Sequence, residues 1–183
     1  SYLSSSQLIT DLQQVSKKLS NQYHGLFVNL VQDLIKKINL FHFYFAKIDI
    51  RQNSSIHRQV VADILRSTSL CPDYLKLAED EKIKLLSASI DNQGLSNGNY
   101  TALALEVIAT LQAVQTIQAK NGLESIERYV ISNTDSVASI LEVLWLAQIV
   151  NNDLANQPAL RLEIVPLFET IEDLANADQI MET

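Results

Sequence analysis

Three charged side chains interrupt the apolar stretch FHFYFAKIDIRQ, at Lys47, Asp49 and Arg51. Alternate positions of a strand share one face, so a strand here carries all three charges on the same side. Charges on such a strand are costly to bury unless they are paired or bind a ligand. Arg51 offers a planar fork of donors that suits a phosphate or a carboxylate, and Asp49 could orient that fork. The pattern leaves two interpretations open, an anion-binding site and a structural ion pair.

A single carboxylate, Glu169, stands between the apolar stretch 160–168 and a predicted helix start, where Thr170 and Asp173 resemble a capping box. Carboxylate oxygens are suitable ligands for a hard divalent cation. The same carboxylate could instead stabilise the positive end of the helix dipole. The spacing leaves both roles open. Between these two segments, the polar stretch 132–135 most simply predicts a helix cap.

The other reactive side chains form no recognisable constellation. His24, His42 and His57 are dispersed, and no pair of His or Cys has zinc-ligand spacing. A histidine on a helix surface is the usual interpretation of His57, although it could bond into the preceding charged segment. Cys71 is interpreted as a small packed residue and Trp145 as core. The sequence contains no nucleophile elbow, phosphate loop or dinucleotide fingerprint.

Hydrophobic periodicity predicts the elements that must position these groups. Helices are predicted over residues 8–19, 26–38, 54–65, 79–90, 103–121 and 135–150 and after residue 170; strands are predicted over 41–50, 129–132 and 160–168. Gly122 is expected to close the long helix before it. The pattern indicates a mainly α protein with a few short parallel strands (α/β), an incomplete part of a β/α barrel with helical insertions. In such barrels functional groups collect at the C-terminal ends of the strands.

Composition narrows the class of protein. Of 183 residues, 47% are hydrophobic and 19% charged, and the net charge is −7. Scattered basic residues on an acidic chain argue against nucleic acid as a partner. No uninterrupted apolar run reaches the roughly 18 residues of a membrane span. A lone cysteine fits a reducing compartment, so we expect a cytoplasmic protein. Because the chain lacks an initiator methionine and stops directly after a helix-like stretch, we expect residues 1–183 to be one internal piece of a larger enzyme.

Three blocks of the sequence, residues 41–57, 129–143 and 165–181, resemble segments of the phosphoenolpyruvate carboxylases. The block 41–57, FHFYFAKIDIRQNSSIH, is similar to the family segment in which an apolar strand ends in Asp-Ile-Arg-Gln, with a Ser and a His following. The block 129–143, YVISNTDSVASILEV, is similar to the family's Tyr-Val-Ile-Ser strand and the helix after it. The block 165–181, VPLFETIEDLANADQIM, is the most specific, similar to the family's Pro-Leu-Phe-Glu-Thr segment. All three come in the family's order.

The resemblance implies a largely helical enzyme built on an eight-stranded β/α barrel. It implies condensation of bicarbonate with phosphoenolpyruvate to give oxaloacetate and phosphate, with Mg²⁺ or Mn²⁺, in a homo-oligomeric parent enzyme. Arg51 falls on a catalytic arginine that contacts the substrate's phosphate, and Glu169 on a carboxylate that holds the metal. The family's catalytic histidine motif, second metal carboxylate and later glycine- and arginine-rich loop have no match here. We therefore expect this chain by itself to be inactive and to hold no metal.

Two departures from the family accompany the resemblance. Asn53 stands where the family usually has Glu, and Asn133-Thr134 replaces the usual Met-Ala. A non-catalytic helical scaffold or interaction domain of the same architecture is the alternative interpretation. A separate small-molecule binding domain is a third, but it needs a closed pocket that three strands scarcely provide.

Overall fold

The computed structural model describes residues 4–88, 98–153, 156 and 158–182. The sequence also predicts a polar loop over residues 91–99, most of which lies outside these residues. The helices and strands of the described ranges are, in order, α1 (Ser5–Gln22), α2 (Val28–Phe41), β1 (Ile50–Asn53), α3 (Ser54–Ser67), α4 (Glu79–Ser87), α5 (Ala102–Asn121), β2 (Arg128–Ser132), α6 (Val137–Asp153), β3 (Glu163–Pro166) and α7 (Ile171–Glu182). Two short 3-10 turns, Tyr74–Lys76 and Leu123–Ser125, complete the order. The mainly helical α/β class predicted from the sequence is confirmed.

The described residues form two compact units that divide after Lys47. The first unit is a pair of helices, α1 and α2. Ser4 begins α1 as its N-cap, its hydroxyl accepting the backbone N–H of Gln7 at 3.3 Å. The hydroxyl of Ser5 lies 3.0 Å from Nδ1 of His42, which connects the start of α1 with the end of α2.

The prediction of a strand over residues 41–50 is wrong, because Ile50 alone in this range lies in a strand, β1. Helix α2 continues to Phe41, and the chain then turns through His42 and Phe45, whose φ angles are 47° and 65°. A strand needs a neighbour to pair with, and β2 begins only at Arg128, in register with the residue before Ile50. β-propensity expresses packing on a sheet more than a backbone preference, so this aromatic run did not form a strand without a partner.

The second unit contains a parallel three-stranded sheet in the order β1-β2-β3. Register partners in a parallel pair point to the same face. One row of partners packs into the helical core: Ile50, Tyr129 and Ile164. The next row therefore lies on the opposite face: Arg51, Val130 and Val165. This register separates Arg51 from the helix-covered side of the sheet.

The core of the second unit lies between the sheet and helices α3, α5 and α6. Its largest fully buried apolar side chains are Trp145, Tyr74, Ile64, Leu65, Leu111, Ile131 and Leu146. Within the described ranges, α5 is also the one helix long and apolar enough to cross a membrane by length and composition. The sequence of α5 contains no long uninterrupted apolar run, because polar residues such as Gln115 stand among its apolar ones. Its buried Val107 and Leu111 belong to the core, and core helices commonly meet the same criterion.

Helix ends show which local predictions hold. Thr170 and Asp173 form the predicted capping box, each backbone N–H donating to the other's side chain at 3.0 Å. Gly122 ends α5 with φ 100°, a conformation that favours glycine. The sequence predicts Ser54 or Ser55 as the N-cap of α3, but the N-cap is Asn53, whose Oδ1 accepts the N–H of Ser55 at 2.9 Å.

Candidate functional site

The carboxyl ends of the three strands are joined by two short hydrogen bonds. Ser54, the first residue of α3 after β1, donates its hydroxyl to the carbonyl of Asn133 at 2.6 Å. The backbone N–H of Asn133, just after β2, donates to Oε2 of Glu169 at 2.7 Å. Glu169 in turn follows β3. The segments after all three strands therefore meet at one end of the sheet.

The turn at Asn133 is built firmly into the sheet. Asn133 has φ 53°, in the left-handed region. The next residue, Thr134, is fully buried and donates its N–H to the carbonyl of Leu167 at 3.0 Å. Leu167 donates its own N–H to the carbonyl of Ile131 at 2.9 Å. These bonds continue the ladder beyond the strands and hold the N–H of Asn133 toward Glu169.

Only one of the two carboxylate oxygens of Glu169 accepts a hydrogen bond within the described ranges. The side chain is exposed, and within the described ranges Oε2 has the one bond to Asn133 while Oε1 has none. The start of α7 is already capped by Thr170 and Asp173. The carboxylate therefore bonds to the turn after β2 and not to the backbone of α7, which weakens the helix-dipole interpretation.

Arg51 is exposed on β1, opposite Val130 in the register. In the part of the chain that the structure describes, its guanidinium has no hydrogen bond or ion pair, so the structural ion pair with Asp49 is not formed. Asp49 and Lys47 precede the strand, so the argument that all three charges share one strand face does not apply to them. Arg51 remains a charged donor fork available to an anion.

The residues at this end of the sheet fit a divalent cation only as a partial set. No group of three or more His, Cys, Asp or Glu among the described residues could hold a metal ion. Mg²⁺ is commonly bound by one or two carboxylates, with waters and substrate phosphates completing six ligands. Glu169, with one free oxygen at a strand end, fits one position of such a set.

The second strand end does not cap its helix as predicted. Asp135 accepts bonds at Oδ1 from Arg58 at 2.7 Å and from the hydroxyl of Ser139 at 2.8 Å. Partial burial raises the pKa of Asp135, but the bonds from Arg58 and Ser139 outweigh it and leave the pKa below its ordinary value. The backbone N–H of Ala138, in the first turn of α6, is instead accepted by Glu79 of α4 at 2.8 Å.

A buried carboxylate on α6 was not predicted from the sequence. Glu142 is fully buried on α6 and accepts the hydroxyl of Tyr74 at 2.8 Å, with Nε of Arg58 at 3.8 Å. Burial raises the pKa of Glu142 to about 7, although Tyr74 and Arg58 oppose the shift. Its other oxygen, Oε2, has no partner in the described ranges. A glutamate at an apolar helix position, LEVLW, was the only available signal.

His57 is a core residue and not the surface histidine that its sequence suggested. It is fully buried, and its Nε2 lies 2.8 Å from the hydroxyl of Tyr129 on β2. Burial lowers the pKa of His57 to about 4 and raises that of Tyr129 to about 12. The pair connects α3 to β2 beneath the sheet. Cys71 is half-buried against the core and Trp145 is fully buried, as interpreted from the sequence.

The architecture and the groups near the strand ends define a parallel α/β protein with an exposed arginine on β1 and, after β3, a carboxylate with one oxygen free of hydrogen bonds in the described ranges. A family model described as phosphoenolpyruvate carboxylase matches residues 1–183. A curated relative from Roseiflexus castenholzii, named phosphoenolpyruvate carboxylase, is 33% identical over 185 residues, which cover 99% of this chain and 20% of the relative. The chain belongs to the phosphoenolpyruvate carboxylase family, and it spans about a fifth of that relative's length.

Proposed function

We propose that this chain is part of a phosphoenolpyruvate carboxylase, a carbon-fixing lyase that makes oxaloacetate and phosphate from phosphoenolpyruvate and bicarbonate. The family supports the reaction class. The observation that carries the proposal for these residues is the strand-end arrangement, in which Glu169 is held by Asn133 through one oxygen only. Arg51, unpaired among the described residues, lies on β1, the strand beside β2.

Each side chain has a definite role in this proposal. The planar guanidinium of Arg51 binds and orients the phosphate of phosphoenolpyruvate, which suits its fork of donors. Glu169 is one ligand of Mg²⁺ or Mn²⁺ through its free oxygen. A bound divalent cation stabilises negative charge that develops on the substrate. The hydrogen bond from Asn133 fixes the carboxylate, so that little reorganisation is needed when charge develops.

This chain carries only part of the proposed active site. A single carboxylate binds a divalent cation weakly, so the chain by itself is expected to hold no metal and to have no carboxylase activity. The remaining ligands and catalytic groups then belong to other segments of the whole enzyme. We further propose that the whole enzyme is a cytoplasmic homo-oligomer. Oxaloacetate formation by this chain alone would contradict the proposed division of the site.

The test is steady-state kinetics of the full-length enzyme that contains this segment. Oxaloacetate formation is followed with Mg²⁺ and with Mn²⁺, for wild type, Arg51→Ala and Glu169→Ala. Each variant is expected to lose about 100-fold or more in kcat/KM, comparable with the loss on removing one preorganised donor that stabilises transition-state charge. The Arg51 variant should raise the KM for phosphoenolpyruvate, and the Glu169 variant the metal concentration needed for half-maximal rate.

Two exposed residues of the same chemistry provide matched controls. Arg161 and Glu163 lie at the start of the β3 segment, eight and six positions before Glu169. Arg161→Ala and Glu163→Ala should keep the wild-type rate within a few fold. If folded wild-type enzyme is inactive with either metal, the non-catalytic scaffold replaces this proposal. If the controls lose as much activity as Arg51→Ala and Glu169→Ala, the assigned roles are wrong.

A further inference from the structure

The orientation of Glu169 depends on groups that do not themselves reach a ligand. Oε2 of Glu169 accepts a main-chain N–H, that of Asn133, at 2.7 Å. The position of a main-chain donor is set by its backbone conformation. Whatever fixes the turn at Asn133 therefore fixes the direction in which Oε1 of Glu169 points.

Besides the main-chain bonds of Thr134 and Leu167, the conformation of Asn133 and the hydroxyl of Ser54 fix this turn. Asn133 has φ 53°, a left-handed conformation that Asn adopts more readily than most residues with a Cβ. Ser54 is 3% exposed, and its hydroxyl holds the carbonyl of Asn133 at 2.6 Å. The peptide units on both sides of Asn133 are thus constrained, one through its carbonyl and the other through its N–H.

The same bonds connect the two candidate site residues. Ser54 follows Arg51 by three positions, at the point where β1 gives way to α3. A continuous path therefore runs from the strand that carries Arg51, through the hydroxyl of Ser54 and the peptide of Asn133, to the carboxylate of Glu169. A shift at any step changes the distance and angle between the arginine and the carboxylate.

We propose that Ser54 and Asn133 are positioning residues that direct the free oxygen of Glu169 toward a divalent cation. The inference rests on the proposed role of Glu169 as a metal ligand. Groups that orient a metal ligand through hydrogen bonds typically change metal affinity by about 10- to 100-fold when they are mutated. We expect Ser54→Ala and Asn133→Val to weaken cation binding by about this factor, because valine disfavours the left-handed conformation.

The experiment measures Mn²⁺ binding to the full-length enzyme without phosphoenolpyruvate, from the electron paramagnetic resonance signal of free Mn²⁺. Ser54→Thr, which keeps a hydroxyl, and Asn133→Gly, which keeps the left-handed conformation, should bind Mn²⁺ within about threefold of wild type. Ser67→Ala is the matched control on α3, because Ser67 donates its hydroxyl to Asn99 at 3.2 Å. Glu169→Ala defines the affinity that remains without the ligand.

The variants separate this inference from the proposed function. If Glu169→Ala weakens Mn²⁺ binding while Ser54→Ala and Asn133→Val bind as wild type does, the positioning role is wrong and the metal role stands. If Glu169→Ala has wild-type affinity, both are wrong. If Ser54→Ala does not fold, the comparison of Asn133→Val with Asn133→Gly decides, since equal affinities for those two would overturn the inference.

Discussion

Four ionisable side chains fall into two groups, an exposed pair and a buried pair. Arg51 on β1 and Glu169 after β3 are exposed, so a ligand can reach both side chains. Glu142 and His57 are fully buried, and burial disfavours the charged form of each. The first pair is suited to chemistry, whereas the second makes the stability of the fold depend on pH.

Glu142 gives a prediction about pH-dependent stability. Its pKa is raised from 4.5 to about 7 in the folded chain, so the folded state binds more protons than the unfolded state between those values. Stability therefore falls as pH rises from about 4.5 to about 7, by on the order of 2 kcal/mol. Glu142→Gln should remove this loss. Chemical unfolding of the chain at several pH values checks it.

The prediction for Glu142 is tested by the difference in unfolding free energy between the variant and wild type at each pH. This difference is needed because His57 titrates in an overlapping pH range and has the opposite effect on stability. The pKa of His57 is lowered to about 4, so its contribution is present above pH 6.5 and is lost as pH falls toward 4. Glu106→Gln, an exposed change on α5, is the control. A difference in unfolding free energy between wild type and Glu142→Gln that stays constant from pH 4.5 to about 7 would contradict the prediction.

The His57 and Tyr129 pair gives a second prediction. Tyr129→Phe leaves a buried imidazole without its hydrogen-bond partner, which should lower the free energy of unfolding by about 1–3 kcal/mol. The double variant with His57→Leu should lose less than the sum of the two single changes. Tyr23→Phe is the control, since Tyr23 is exposed and its hydroxyl can bond to water instead. Additive losses in denaturant titrations would show that the pair is not coupled.

Sequence reasoning singled out the two exposed candidate residues because their surroundings are local. Glu169 was found from an apolar stretch followed by a helix start, and Arg51 from charges in an apolar run. The partners of these residues could not be found in the same way. Asn133 and Ser54 are 79 positions apart in the chain, and only the parallel register brings them together.

At the level of elements, the capping box of α7 gives a third prediction. Thr170→Ala removes the side chain that accepts the N–H of Asp173, and losing such a cap typically costs about 1 kcal/mol. Hydrogen exchange should show faster opening of the first turn of α7. Thr110→Ala on α5 is the control, because Thr110 bonds only to the carbonyl of Glu106 within its own helix. Equal effects of both changes on α7 would contradict this role.

Helix prediction succeeded better than strand prediction for a physical reason. A helix satisfies its backbone within itself, so its limits follow from nearby residues, as Gly122 shows for α5. A strand satisfies its backbone only beside a neighbour. β1 is four residues long because it has a partner only where β2 runs beside it, and the aromatic residues before it carry no information about that.

At the level of the whole molecule, exposed apolar side chains give a fourth prediction. Helix α7 exposes Ile171, Leu174 and Met181, at 89%, 62% and 61% of their areas. Apolar surface of this kind associates with other apolar surface in water. We expect the isolated chain to self-associate as its concentration rises, and Leu174→Lys to reduce this association. Light scattering measures it, with the exposed polar change Gln14→Lys on α1 as control. A monomer at high concentration would contradict the expectation.

The hydrogen bond from Ala138 to Glu79 predicts an order of folding events. The first turn of α6 takes its acceptor from a helix 59 positions earlier in the chain, so it cannot be completed when α6 first forms. Closing a loop of that length is slow compared with forming a helical turn. During refolding, the amide of Ala138 should therefore become protected from exchange late, together with the docking of α4, while amides in the middle of α6 are protected earlier. Glu79 of α4 therefore determines when the first turn of α6 acquires this hydrogen bond.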